Sequence, residues 1–327
     1  MKTGKEFPFY VPDSTWKIAV ASRSFSRNPT LRSELLGKYP HSTFNDAGVS
    51  LRGDALKTFL HGHDAAIIAL EPIDNEVLEV LPQLKIISKY GVGLDTIDFK
   101  ALQKYNVRLA WVGGVNRRSV AELTLGFMLT CLRGLNHANL KVRQGIWEQH
   151  YGNLLSSKRV GIIGLGHVGK DLAKLLAPFN CTIYANDLKQ LDHLCPDLGV
   201  EQVSLSHVLS RSDIVSIHVP LTTLTRGLLG REQLQSMRSG SILINTARGG
   251  IVDEQALKEC LQIGHLSAAA FDVFASEPPV DDELLSLPNF LATPHIGGSA
   301  QEAILAMGRA TIAQIESSCD PIQEMFN

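Results

Sequence analysis

The chain predicts an α/β protein of two doubly wound parallel-sheet domains. Three observations carry that expectation. Short apolar runs alternate with helix-period segments along the whole sequence, the signature of parallel strands covered by helices. The length, 327 residues, accommodates two domains of roughly 100–200 residues each. A polar link from Tyr151 to Lys158, with Gly152, Asn153 and two serines, precedes a clean restart of the pattern.

In the first third, strands are expected at Ile18–Ala21, Ala65–Leu70, Lys85–Ser88 and Arg108–Trp111. Helices fall between them, among them Leu31–Tyr39 and Asp54–His61. A helix from about Ser119 to Leu135 ends near Gly134, and a second helical stretch covers His137–Gln144. Beyond the link, strands are expected at Arg159–Ile163, Thr182–Ala185, Ile214–His218, Ser241–Asn245, Ala268–Phe271 and Phe290–Thr293. A last helix runs from about Ala300 to Ser317.

Composition narrows the function. Apolar residues make up 44% and charged residues 20%, enough to bury two cores. The net charge is −2 and the sequence pI about 6.6, so no electrostatic footprint for nucleic acid or an anionic membrane exists. The most lipid-like stretch, Val120–Leu135, carries Glu122 and Arg133 and is too short to span a bilayer. Met1–Lys17 lacks the apolar core of a signal peptide. Cys131, Cys181, Cys195, Cys260 and Cys319 are odd in number and form no CxxC, which reads as reduced thiols in a cytoplasmic protein. His61-Gly62-His63-Asp64 has the residue types of a metal cluster, but it precedes an apolar run and reads as a solvated loop; no metal is expected.

One motif carries specific chemistry. The apolar run Arg159–Ile163 leads straight into Gly164-Leu165-Gly166-His167-Val168-Gly169, and a helical pattern with Val168, Leu172, Leu175, Leu176 and Phe179 on one face follows. A GxGxxG between a strand and a helix is the dinucleotide fingerprint. Gly164 allows the tight turn, Gly166 lets backbone approach a pyrophosphate, and Gly169 lets the helix pack on the strand. The N–H groups of His167 and Val168 are expected to face the phosphates at the helix N-terminus. Asp187 ends the next strand, where a carboxylate accepts hydrogen bonds from the adenosine ribose and repels a 2′-phosphate. NAD is therefore the expected cofactor, although Lys189 is close by.

Further polar residues follow the last three expected strands. Thr246-Ala247-Arg248-Gly249-Gly250 follows one, Asp272-Val273-Phe274 and Ser276-Glu277-Pro278-Pro279 a second, and Pro294-His295-Ile296-Gly297-Gly298 a third. Ligands of open parallel sheets bind beyond such carboxyl ends. In these stretches, the first continued through Ile251-Val252-Asp253-Glu254, and in Lys89-Tyr90-Gly91-Val92-Gly93-Leu94-Asp95, Val120-Ala121-Glu122-Leu123 and Gly164 to Gly169, the chain resembles the D-isomer-specific 2-hydroxyacid dehydrogenases over nearly all its length.

The resemblance implies a Rossmann NAD-binding domain, residues 113–297, inserted in a flavodoxin-like substrate domain, residues 1–112 and 298–327. It implies Arg248, Glu277 and His295 as the catalytic set, and a homodimer to which the helix around residues 119–135 contributes. Asp272 resembles the residue that meets the nicotinamide carboxamide, and Val219, Thr246, Ala247 and the His295–Gly298 turn resemble further cofactor contacts. Lys89 and the backbone of Gly91, Val92 and Gly93 are expected at the substrate.

The chemistry fits these residue types. Hydride leaves C2 of a 2-hydroxy acid as the hydroxyl proton leaves its oxygen, so a base must reach that oxygen. His295 serves near neutral pH, and a carboxylate such as Glu277 favours the imidazolium and orients the ring. Arg248 offers a planar fork to a substrate carboxylate.

Within the family the chain looks most like the phosphoglycerate dehydrogenase and hydroxypyruvate/glyoxylate reductase branch, to which Trp147-Glu148 points. It departs from the phosphoglycerate enzymes where a phosphate-binding arginine commonly follows the strand ending Ile67-Ile68-Ala69-Leu70. Arg117-Arg118, expected in the loop entering the helix at Ser119, are the alternative contacts for a phosphate or second carboxylate. A rival of another class is an NAD-sensing corepressor-like binding protein.

Overall fold

The structure, a computed structural model, describes residues 10–191 and 195–316. Cys319, Ser317 and the segment Met1–Phe9 lie outside the described residues. The chain divides into two compact units, Met1–Asn116 with Gln301–Asn327, and Arg117–Ala300. The divisions thus fall four and three residues later than the sequence places them (116 against 112, 300 against 297). The reason is local. Helix Arg117–Arg133 packs on helix His167–Leu176, and Ser119 Oγ donates to Gly297 O at 2.6 Å and accepts from Ala300 N at 3.3 Å.

In the first unit, the described residues form a parallel sheet of β1 (Ile18–Val20), β2 (Thr43–Phe44), β3 (Ala65–Ile68), β4 (Ile86–Lys89) and β5 (Arg108–Ala110), in the order β2-β1-β3-β4-β5. This is the flavodoxin-like order. All four residues of β3 are buried, as expected of a parallel strand covered on both faces. Helix Pro29–Lys38 starts where Asn28 Oδ1 accepts from Leu31 N and proline takes the first turn, where its missing N–H costs nothing. Helix Gln301–Glu316 returns to this unit: Ile312 and Ile315 join its core, and the carbonyls of Thr311 and Ile315 accept from Ser88 Oγ and Arg108 Nη2 at 2.8 and 2.9 Å. Gly308 lets it pack against Leu31, whose Cδ1 would lie 2.3 Å from any Cβ there.

In the second unit, β6 (Arg159–Ile163), β7 (Thr182–Asn186), β8 (Val200–Gln202), β9 (Ile214–Ile217), β10 (Ser241–Asn245), β11 (Leu266–Phe271) and β12 (Phe290–Ala292) form a parallel sheet ordered β12-β11-β10-β9-β6-β7-β8. Strand order reverses at β6 and β9, the switch point at which Rossmann sheets bind ligands. One face buries Ile162 and Ile244 with Leu172 and Phe127, and the other buries Val215 and Leu243 with Val208 and Leu257. At about 1.5–3 kcal/mol for each fully buried large aliphatic side chain, these two layers dominate the stability of the unit.

The structure corrects the sequence reading in two places. Edge strands β2 and β8 were not expected. Arg117 and Arg118 belong to the first turn of a helix, not to a loop, and the Arg118 guanidinium pairs with the buried Asp171 through Nε–Oδ2 at 2.9 Å and Nη2–Oδ1 at 3.0 Å. At His61–Asp64, His63 Nε2 lies 3.0 Å from Thr43 Oγ1, and Asp64 accepts from Lys17 N and Lys85 Nζ. Among the described residues no group of three or more His, Cys, Asp or Glu is placed to hold a metal. No helix among them is long and apolar enough to cross a membrane.

Candidate active site

The carboxyl edge of the second sheet collects the polar residues in a line. Moving from β6 through β9, β10, β11 and β12, the strands end at the Gly164–Gly169 loop, His218-Val219, Thr246–Gly250, Asp272–Glu277 and His295. Neighbouring parallel strands therefore bring together residues separated by as many as 131 positions (295 − 164).

The glycine loop has the shape its three glycines predict. Gly164 has φ +97°, and a Cβ there would stand 2.8 Å from the His218 carbonyl and from Val219 Cγ1. A Cβ on Gly169 would lie 2.2 Å from Gly164 O, so helix His167–Leu176 can rest on the strand turn only without one. A Cβ on Gly166 would enter open space. That opening is wide enough for a pyrophosphate to approach the backbone, and Gly166 caps the helix with no side-chain bond. Gly166 and His167 are exposed and Val168 half-buried. Asp187 ends beside the same loop: Oδ2 accepts from Leu165 N at 2.8 Å and Oδ1 from Lys189 N at 3.0 Å. These residues fit a dinucleotide.

Next to the loop, His218 meets Ser216 Oγ through Nε2 at 2.8 Å. Burial pushes its imidazole down to about 3, so it is neutral at physiological pH, as suits a residue packed under the cofactor loop rather than a proton carrier.

At the end of β10, the buried Asn245 organises the turn that carries Arg248. Its side-chain oxygen accepts from Ala247 N at 3.0 Å and its amide donates to Arg248 O at 2.9 Å. Arg248 is half-buried, and Nη1 donates to Ala247 O at 2.7 Å. The Thr246 hydroxyl is buried against Thr124 Oγ1 at 2.8 Å.

The histidine turn is built by Asp272, which is 1% exposed. Its Oδ1 accepts from Thr293 Oγ1 at 2.5 Å and Ile296 N at 2.7 Å, and Oδ2 accepts from Gly297 N at 2.7 Å. Those bonds bracket His295, which sits at φ +55°, a left-handed conformation that a non-glycine residue holds only when its surroundings impose it. His295 Nδ1 then meets both oxygens of Glu277, at 2.9 and 3.1 Å. Each side chain is 41% exposed. Gly298 follows in the same turn.

In the first unit, Lys89 ends β4 almost fully buried, and its ammonium donates to Ala69 O. Gly91 has φ +124°, and Trp111 Nε1 holds the adjoining turn through Val92 O at 3.1 Å; Gly93 completes it. Sequence reasoning missed Asn245, Thr124 and Ser119. Thr124 and Ser119 bond to residues that follow distant strands, which leaves no local pattern, and Asn245 acts on Ala247 and Arg248 inside a turn whose sequence does not single it out.

Fold and loop define an NAD-binding dehydrogenase of the doubly wound type. The model of the D-isomer specific 2-hydroxyacid dehydrogenase NAD-binding domain matches residues 125–297. The hydroxypyruvate reductase of Thermotoga maritima is 38% identical over 271 residues, 81% of this chain and 88% of that protein. The D-3-phosphoglycerate dehydrogenase of Methanocaldococcus jannaschii is 38% identical over 247 residues, 75% of this chain but 47% of that protein, so the chain spans about half the length of this relative. Among solved structures, the holo D-mandelate dehydrogenase of Rhodotorula graminis superposes with TM-score 0.83 at 27% identity, covering 92% of this chain and 94% of its own. The chain belongs to the D-isomer specific 2-hydroxyacid dehydrogenase family. It is an NAD-dependent oxidoreductase acting on CH–OH groups.

Proposed function

We propose that Arg248, Glu277 and His295 reduce a three-carbon 2-keto acid to its D-2-hydroxy acid, and run the reverse oxidation. The observation that carries this reading is the Glu277–His295 contact beside the Arg248 turn, at the ends of adjoining strands. Gly164, Gly166, His167, Val168, Gly169 and Asp187 would hold NAD(H), which would supply or accept the hydride at C2 of the substrate. Val219, Thr246, Ala247, Asp272 and Gly298 complete its pocket, Asp272 chiefly by shaping the turn. His295 presents its outer nitrogen to the C2 oxygen and gives its proton to the developing alkoxide, or removes it in the oxidation. Glu277 sets the tautomer and the orientation of the ring through Nδ1. Arg248 clamps the substrate carboxylate and polarises the C2 carbonyl. Lys89 and the Gly91-Val92-Gly93 backbone belong to the substrate-binding unit.

The chemistry is that of phosphoglycerate dehydrogenases, but the end of β3 favours the unphosphorylated substrate, hydroxypyruvate. Where a phosphate-binding arginine would stand, this chain has Ala69, Leu70 and the buried acid Glu71. The nearby Lys89 ammonium is turned to the Ala69 carbonyl, and Arg118 is spent on Asp171.

We also infer a cytoplasmic homodimer. Within Leu135–Leu154, the side chains of Leu135, Leu140, Val142, Ile146, Trp147 and Leu154 are exposed, a density of apolar surface that monomers rarely show and that a second copy would cover. Cys131, Cys181 and Cys260 are free thiols, as in a reducing compartment.

The test is loss of reduced-nicotinamide absorbance with hydroxypyruvate, phosphohydroxypyruvate, glyoxylate and pyruvate, beside the mass of the protein in solution. Hydroxypyruvate should turn over fastest, and the mass should be twice that of the chain. NADH binding without turnover of any keto acid would favour an NAD-sensing binding protein instead.

A further inference from the structure

We propose that Glu254 is a positioning residue for Glu277, acting through the Phe274–Ala275 backbone; the inference rests on the reading of Glu277 and His295 as the proton-transfer pair. Two adjacent amides of this backbone end on two carboxylates. Phe274 N donates to Glu277 Oε1 at 3.2 Å, and Ala275 N donates to Glu254 Oε1 at 2.8 Å. The first bond is local. The second reaches back 21 residues to the start of helix Glu254–Gln262.

The same stretch of backbone rests on Gly249, the neighbour of Arg248. A Cβ on Gly249 would stand 1.9 Å from Phe274 O and 2.4 Å from Ala275 N. Contact this close is available to glycine alone. Gly249 therefore sets how near the loop comes to the Arg248 turn, and Glu254 holds the loop there. Glu277 leaves that backbone two residues later and aims both oxygens at His295.

Glu254 also lies in the first turn of its helix, where an acid is favoured by the helix dipole alone. Asp253 already caps that helix, its Oδ1 accepting from Ala256 N at 3.0 Å. The half-buried Glu254 side chain instead reaches outward to the loop, although burial pushes its carboxyl above the usual range. A dipole role needs the charge; the positioning role needs an acceptor oxygen at the right reach.

That difference designs the test. kcat, KM and the pH–rate profile of keto acid reduction are measured for Glu254→Gln, Glu254→Ala, Glu254→Asp, Glu277→Gln and the Glu254→Ala/Glu277→Gln double variant, with NADH affinity read by fluorescence. Glu254→Gln keeps the acceptor and should stay within about threefold of the parent kcat. Glu254→Ala should lose about tenfold or more in kcat, the scale of a small misplacement at a reacting centre. Its profile should move in the same direction as that of Glu277→Gln, with NADH affinity unchanged. Glu254→Asp keeps the charge but falls one methylene short and should follow Ala; it carries the test should Glu254→Ala fold poorly. The double variant should be no worse than Glu277→Gln alone, because both changes act on one unit. A Glu254→Ala loss that adds in full on the Glu277→Gln background, or a Gln variant as poor as Ala, overturns the positioning role. A moved profile in Glu277→Gln beside an unmoved one in Glu254→Ala overturns that role alone, whereas an unmoved profile in Glu277→Gln overturns the proton-transfer pair itself.

Discussion

Glu277 holds His295 by a single ring nitrogen: both carboxylate oxygens converge on Nδ1, at 2.9 and 3.1 Å. In the proposed reaction the opposite nitrogen faces the substrate. Reduction needs the ring protonated and oxidation needs it neutral, so the two directions should show opposite pH dependence. Glu277→Gln keeps the reach of the side chain but removes the negative charge that faces the ring, and the rate profile should change in both directions. His295→Ala should lose both directions while still binding NADH. Rate profiles in both directions for the three proteins check this, and a His295→Ala enzyme with near-parent rates would remove the histidine from the reaction.

Arg248→Lys keeps the charge but loses the fork. Turnover should fall by about 100-fold or more, the scale of losing a preorganised charge-assisted contact in the transition state. The fold should survive, because the turn is held by Asn245 rather than by the guanidinium. The measurement is kcat/KM beside thermal unfolding; unchanged kcat/KM is the result that excludes the clamp.

Cofactor choice should rest on Asp187. With one oxygen fixed by Leu165 N and the other by Lys189 N, its negative charge cannot swing away from a 2′-phosphate. NADH should outperform NADPH by about 100-fold in kcat/KM, and Asp187→Ser should erase most of that margin. Equal use of the two cofactors by the parent enzyme would show that Lys189 outweighs the acid.

His218 should make the second unit sensitive to mild acid. Burial holds its folded-state value at about 3 against 6.5 for an ordinary imidazole. Between these values the unfolded chain binds the extra proton, so stability is full above pH 6.5 and declines as pH falls, by up to about 1.4 kcal/mol per unit. His218→Gln should flatten the dependence of thermal unfolding between pH 6 and 4. Asp213 is also lowered: burial acts against the shift, but the hydrogen bonds from Arg159 outweigh it. Its loss of stability therefore falls below the ordinary carboxylate range, outside this window. Parallel curves for parent and variant would contradict the assignment to His218.

How much of this was legible in the sequence depended on whether the signal was local. The strand–glycine–helix segment around Gly164 reads directly, because turn, close approach and packing each demand a residue without a side chain within six positions. The expected strands of the second unit were found because parallel strands buried on both faces are continuous apolar runs. β2 and β8 escaped, being edge strands of two and three residues; Glu201 and Gln202 carry no apolar run. Arg117-Arg118 read as a loop because two cations oppose the dipole of a helix start, and the buried carboxylate of Asp171 that offsets them lies 53 residues away. The roles of Glu254 and Gly249 escaped for the same reason: their partners, Ala275 and Phe274, become neighbours only once β10 and β11 pair.

The bond between Ser119 and Ala300 closes the inserted unit at its two ends. That closure has a consequence for synthesis. The first unit cannot complete its core until helix Gln301–Glu316 has been made, and at about 5–20 residues per second the ribosome spends roughly ten to forty seconds on the intervening stretch. An unfolded connection of about 180 residues would burden the meeting of the two halves with several kcal/mol of loop-closure entropy. A nucleotide unit that folds first, with its ends already tied, removes most of that burden. The inserted unit then acts as a clasp for the halves on either side of it, and damage to it should be felt as misassembly of a sheet that it does not enter.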